Sequence, residues 1–134
     1  MPVKTITAAE QKRAAKLFIQ LSCVATLLMP LIIPMLLWIA ASIFVHASAA
    51  HHPNQRVRDY IFPAGYRFYG VVGTLVVILN FSPQMSKWAG GWLHLGLIIW
   101  SVSLLIIVVP GIRDILRINK ENWQDMTIEV EENA

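Results

Sequence analysis

Apolar residues fill three stretches of this chain, and the breaks in the first stretch govern how the rest is arranged. Leu17 to Val45 is a 29-residue run without a charged side chain, interrupted near its middle by Pro30 and Pro34. Two shorter apolar runs follow, Ile61 to Phe81 and Trp92 to Ile112. An α-helix rises 1.5 Å per residue, so about 20 residues cross a hydrocarbon core about 30 Å thick. The second and third runs therefore fit one crossing each. The first is too long for one straight crossing and too short for two.

The polar positions set the boundaries between these runs. Residues 1–16 read as a basic amphipathic lead-in, in which Thr7-Ala8-Ala9-Glu10 matches a helix capping box. Residues 17–45 are the first membrane segment, 46–60 a polar linker, 61–81 the second span, 92–112 the third and 113–134 a polar tail. Tight turns are expected around Ser82-Pro83-Gln84 and at Gly90-Gly91, and Pro110-Gly111 is expected to loosen the end of the third span. The predicted fold is a single all-α integral membrane domain. It has a proline-broken first hydrophobic helix, re-entrant or kinked, followed by a two-helix transmembrane hairpin.

Charge distinguishes the two forms of the first segment. If it is one kinked crossing, Lys4, Lys12, Arg13, Lys16 and Lys87 fall on one side, and Arg56, Arg58, Arg67, Arg113, Arg117 and Lys120 on the other. Five against six is no bias. If the segment enters and returns, one side holds ten basic residues and the other only Lys87. Cytoplasmic loops carry the excess of Lys and Arg, so the count favours the hairpin with both termini cytoplasmic. The prolines point the same way: each removes a backbone donor and costs about 3 kcal/mol in a helix interior. Pro30 and Pro34 are thus expected to determine the topology. The arms they leave, Leu17–Met29 and Met35–Val45, look too short to cross alone.

Composition agrees with this class. Hydrophobic residues make up 56% of the chain and charged residues 14%, where a soluble domain carries about 25% charged residues. A cleaved secretory signal is not expected, because its apolar core spans about 7 to 15 residues and this run is far longer. The lone Cys23 lies inside the first run and reads as a small buried apolar side chain.

Few residues carry recognisable chemistry. His94 is the one candidate pigment or haem ligand, with Gly90 four residues before it to make room for a flat macrocycle. His46 lies across the membrane from it, which excludes paired-histidine ligation within one chain. His46, His51 and His52 do not match a metal-ligand spacing. No Asp or Glu occurs between Glu10 and Asp59, which argues against coupled transport. Arg56, Arg58, Tyr66, Arg67 and Tyr69 form a basic, aromatic collar at the mouth of the second span, suited to lipid headgroups or a partner. Gly70 and Gly73 share one face and would permit close helix contact. The acidic tail, with Glu129, Glu131 and Glu132, is expected to point away from the membrane, and Met126–Val130 could add as a strand to a partner.

These features lead to a non-catalytic accessory or assembly subunit of a larger membrane complex, in contact with lipids and other membrane subunits. The expected location is a bacterial cytoplasmic (inner) membrane. No enzyme activity, nucleic-acid partner, cofactor or metal is expected. A homo-oligomeric pore or lipid-handling protein is the alternative, and a single-histidine haem or pigment carrier the third reading.

Overall fold

The computed structural model describes residues 3–129. Four helices dominate: α1 (Ala8–Leu27), α2 (Ile33–Ala50), α3 (Gln55–Ala89) and α4 (Trp92–Lys120). Three of them, α2, α3 and α4, are long and apolar enough to cross a membrane. A two-stranded antiparallel sheet completes the described residues, with β1 (Val3–Ile6) paired to β2 (Met126–Glu129).

α1 and α2 are antiparallel neighbours. Phe18 of α1 packs on His46 of α2 with ring centroids 5.5 Å apart, and on Trp38 at 5.5 Å. One turn further along α1, the Trp38 indole N–H donates to Ser22 Oγ at 2.9 Å. The chain reverses through the 3-10 turn Met29–Leu31. Pro30 opens that turn and Pro34 sits in the first turn of α2, where a missing N–H costs no bond. Ile32 closes the reversal at φ 68°, ψ −56°, the angles of a γ-turn of positive φ, which a β-branched residue adopts only under strain.

The arms of this hairpin exceed the sequence expectation. α1 has 20 residues and α2 has 18, because helix continues outward through Ala8–Lys16 and through His46–Ala50. α2 alone therefore has the length to cross, contrary to the estimate from Met35–Val45.

α3 and α4 form the second hairpin, joined at Gly90-Gly91. Gly90 (φ 92°) caps α3 in the left-handed region, as the paired glycines suggest. The turn expected at Ser82-Pro83-Gln84 is absent, and α3 runs through Pro63 and Pro83 to 35 residues. Pro83 cannot donate to the Leu79 carbonyl, and the Ser82 hydroxyl takes that acceptor at 3.1 Å. α3 also starts earlier than the predicted span, at Gln55, where the Asn54 side chain accepts from Arg56 N.

The third span likewise continues past Pro110-Gly111. Between its α-helical stretches Trp92–Ser103 and Val109–Lys120, α4 makes one π turn, Leu104–Val108, where the Val109 N–H reaches back to the Leu104 carbonyl. Pro110 follows at once. The wider turn sets its ring into the next helical stretch without ending the helix.

α1 is the central element, touching α2, α3 and α4, while α2 packs on α3. Phe18 and Phe68 are fully buried at this centre, with Trp38, His46 and Tyr69 around them. Two glycines allow the helices to meet. A Cβ on Gly65 would strike the His46 ring, and one on Gly111 would lie 2.7 Å from Cys23 Sγ. Gly70 and Gly73, the pair singled out by spacing, have open space around them instead. Spacing identified a small-residue face, but that face is not the one used inside this chain.

Candidate functional site

The end of the molecule holding β1 and β2 forms a continuous polar layer. Gln11 anchors it from inside: its side-chain amide donates to the Ile6 carbonyl at 3.1 Å and to the Gln124 carbonyl at 2.7 Å, and Oε1 accepts from Asn54. Thr7 caps α1 by accepting the Glu10 N–H, as the capping box predicts, and Asp125 Oδ1 takes the Ala8 N–H at 2.7 Å. A carboxylate at this position also favours the positive end of the α1 dipole. Lys16 bonds Asn119, Arg56 donates to the Asn122 carbonyl, and Tyr60 donates to Glu121 at 2.8 Å. A polar cleft of about 600 Å³ opens here, with Arg56, Glu121 and Trp123 on its wall.

The tail is part of this layer. Its strand β2 pairs with the chain's own β1, from Val3 opposite Glu129 to Ile6 opposite Met126, rather than waiting for a partner's sheet. Glu131 and Glu132 lie outside the described residues.

About two turns inward from the Tyr60–Glu121 bond sits the feature the sequence reading missed. Arg67 of α3 donates to Asp114 of α4 at 2.7 Å, and Arg113 Nε lies 3.8 Å from the other Asp114 oxygen. Asp114 is only 8% exposed at its side chain and Arg67 22%. By sequence alone Asp114 falls in the polar tail, just beyond a third span that ends at Ile112. The continuing helix carries it into the core. Burying this carboxylate alone would be costly, and the guanidinium makes it tenable. Two basic groups on one carboxylate leave a net positive charge at this border of the apolar zone.

The collar residues separate when placed in space. Tyr69 turns inward and shares a 3.0 Å hydrogen bond with Ser42, and Arg67 turns inward to Asp114. Tyr66 points outward at 77% exposure. Arg56 belongs to the polar cleft and Arg58 Nε is buried among its neighbours.

Beyond this level the polar side chains behave differently. Thr74 bonds the Gly70 carbonyl, Asn80 the Val76 carbonyl, Ser86 the Pro83 carbonyl and Ser103 the Ile99 carbonyl. Each is satisfied by its own helix. His94 lies exposed in the first turn of α4, and Gly90 belongs to the interhelical turn rather than to that helix. The space argued for a macrocycle therefore does not arise from this pair. Among the described residues no group of three or more His, Cys, Asp or Glu could hold a metal.

No protein-family model matches the chain, and no curated protein or solved structure shows significant similarity to it.

Proposed function

We propose that the chain is a non-catalytic accessory or assembly subunit of a membrane complex. In this reading α3 and α4 cross the membrane, and the α1–α2 hairpin enters from the cytoplasmic side and returns. The length of α1 supports the hairpin reading, since a hairpin reaches no deeper than its shorter arm. The uncharged part of α4, Trp92 to Ile112, rises about 30 Å, one hydrocarbon thickness. The uncharged part of α1, Leu17 to Leu27, rises only about 15 Å. The tip of the hairpin stops near Trp100, whose indole donates to the Thr26 carbonyl at 3.0 Å. From there α4 continues eight residues, about 12 Å, to Trp92. With β1 and β2 in one layer, ten basic residues gather at that end and Lys87 stands alone at the other, in accord with a cytoplasmic base.

The observation that carries the accessory role is the outer surface of the second hairpin. Only 22% of the apolar window of α4 is buried within this chain, and Ser103 within it is bonded to its own helix. Such a surface is fitted for contact with lipid and with other helices. The buried charges, by contrast, are consumed in holding α3 to α4. Native mass spectrometry after mild extraction tests the role: foreign subunits should accompany the chain, and finding only copies of itself would overturn it. Labelling of Ser48→Cys, Gln84→Cys and Gln124→Cys in a Cys23→Ser background tests the topology. Positions 48 and 124 should react from one side and 84 from the other. Position 48 reacting with 84 would sink the hairpin.

A further inference from the structure

α3 and α4 do not close on each other along their whole length. Between them runs an outward-facing groove of about 460 Å³, walled by Gly70, Thr74, Ile78, Ile98 and Val102 and reaching Met85 and Leu95 at its far end. Its near end is Tyr66 and Arg67. We propose that this groove is a binding site for one acyl chain of an anionic phospholipid, whose phosphate is held at Arg67 and Arg113. The inference rests on the membrane reading above but not on the accessory role.

Three observations choose this occupant. The groove follows α3 from Tyr66 to Met85, about 28 Å of helix rise, long enough for an extended acyl chain, and apart from its near end its lining is almost wholly apolar. Its polar wall atoms, Thr74 Oγ1 and Ser103 Oγ, are bonded to their own helix backbone and demand nothing from the occupant. The near end supplies the charge complement. Arg67 and Arg113 both face Asp114, whose one negative charge leaves one positive charge uncompensated, and the Arg113 side chain is 59% exposed. No other charged residue lies on α3 until Lys87 or on α4 before Arg113. Arg67 and Arg113 therefore mark the border at which an acyl chain gives way to a headgroup.

Two glycines on one helix give a matched test. Gly70 lines the groove and Gly73 does not, yet an added Cβ meets nothing within 4 Å at either position. Neither substitution should disturb folding. The protein is purified in mild detergent with equal amounts of phosphatidylglycerol and phosphatidylcholine, and retained lipid is read by native mass spectrometry. The wild type and Gly73→Leu should retain one phosphatidylglycerol per chain. Gly70→Leu should lose it at least tenfold, and Arg113→Gln should bind both lipids alike. Equal retention of the two lipids by the wild type, or retention by Gly70→Leu matching Gly73→Leu, overturns the site. So does a polypeptide displaced by Gly70→Leu where no lipid is retained. Absence of the chain from the membrane fraction before extraction would instead remove the membrane reading itself.

Discussion

Both hairpins carry long apolar runs, yet they place the bonds of their polar groups differently. In and around the α1–α2 hairpin, bonds cross between helices, from Trp38 to Ser22, between Tyr69 and Ser42 and from Trp100 to the Thr26 carbonyl, while Thr26 and Ser42 also bond their own helices. In the distal part of the α3–α4 hairpin they fold back on their own backbone, as Thr74, Asn80, Ser82 and Ser103 do. Cross-helix bonds fix a partner and a register. Self-bonded groups leave the surface indifferent to what lies beside it. Bonds between helices thus concentrate around the first hairpin, while α2, α3 and α4 alike leave most of their apolar windows uncovered within this chain.

The Arg67–Asp114 pair sits where the two regimes meet, and breaking it should have the largest effect. Asp114→Leu leaves a partly buried guanidinium without its carboxylate, which typically costs about 3–5 kcal/mol. The double variant Arg67→Met, Asp114→Leu removes both charges and should recover most of that loss, since apolar replacements of a buried pair are often neutral. Thermal unfolding in detergent of the wild type, the single variant and the double variant reads this directly. Equal losses in the single and double variants would show that the pair does not join α3 to α4.

The hairpin turn gives a smaller effect of opposite sign. Ile32 holds φ 68° with a branched Cβ, a conformation that costs of order 1–3 kcal/mol. Ile32→Gly removes the steric penalty and adds unfolded-state entropy, so the net gain should be about 1 kcal/mol. A lower melting temperature would mean that the side chain, exposed here, contributes through contacts other than those within this chain.

Much of this arrangement was legible in the sequence, and the misses share a cause. Pro30 and Pro34 announced the reversal because a missing N–H acts locally, whatever surrounds it. Thr7 and Gly90-Gly91 announced helix ends for the same reason. Pro83 and Pro110 carried the same local signal but did not end their helices. Ser82 supplies the hydroxyl in one case and the π turn supplies an extra residue in the other. The Ser-Pro dipeptide was visible and could have signalled it. Asp114 was missed because its partner lies 47 residues away, and only the continued helix brings the two together. Glycine spacing identified Gly70 and Gly73 but could not say which face packs. Gly65 and Gly111 fill that role because His46 and Cys23 lie opposite them. Nor could strand alternation in Met126–Glu129 reveal that the chain's own β1 would be its partner.

The smallest predicted effect tests how firmly the base of the first hairpin is held. His52 lies in the link between α2 and α3, and its Nδ1 accepts the Asn54 N–H at 3.0 Å. Asn54 in turn caps α3 and donates to Gln11, so the imidazole supports the junction of three segments. Burial, and then the nearby Arg58 guanidinium, hold its pKa below the ordinary 6.5. Protonation must also displace the Asn54 bond, because an imidazolium nitrogen has no lone pair to accept it. The unfolded chain takes up its proton near 6.5, while the folded chain resists until a lower pH. The stabilising contribution is therefore complete above about pH 6.5 and declines as pH falls through the folded value. Hydrogen exchange of the Asn54 and Arg56 amides should quicken between pH 7.5 and pH 5.5 after correction for the intrinsic rate. His52→Gln, which cannot titrate, should flatten that dependence. A wild-type profile as flat as the variant's would mean that Gln11, Thr7 and Asp125 hold the base without help from the imidazole.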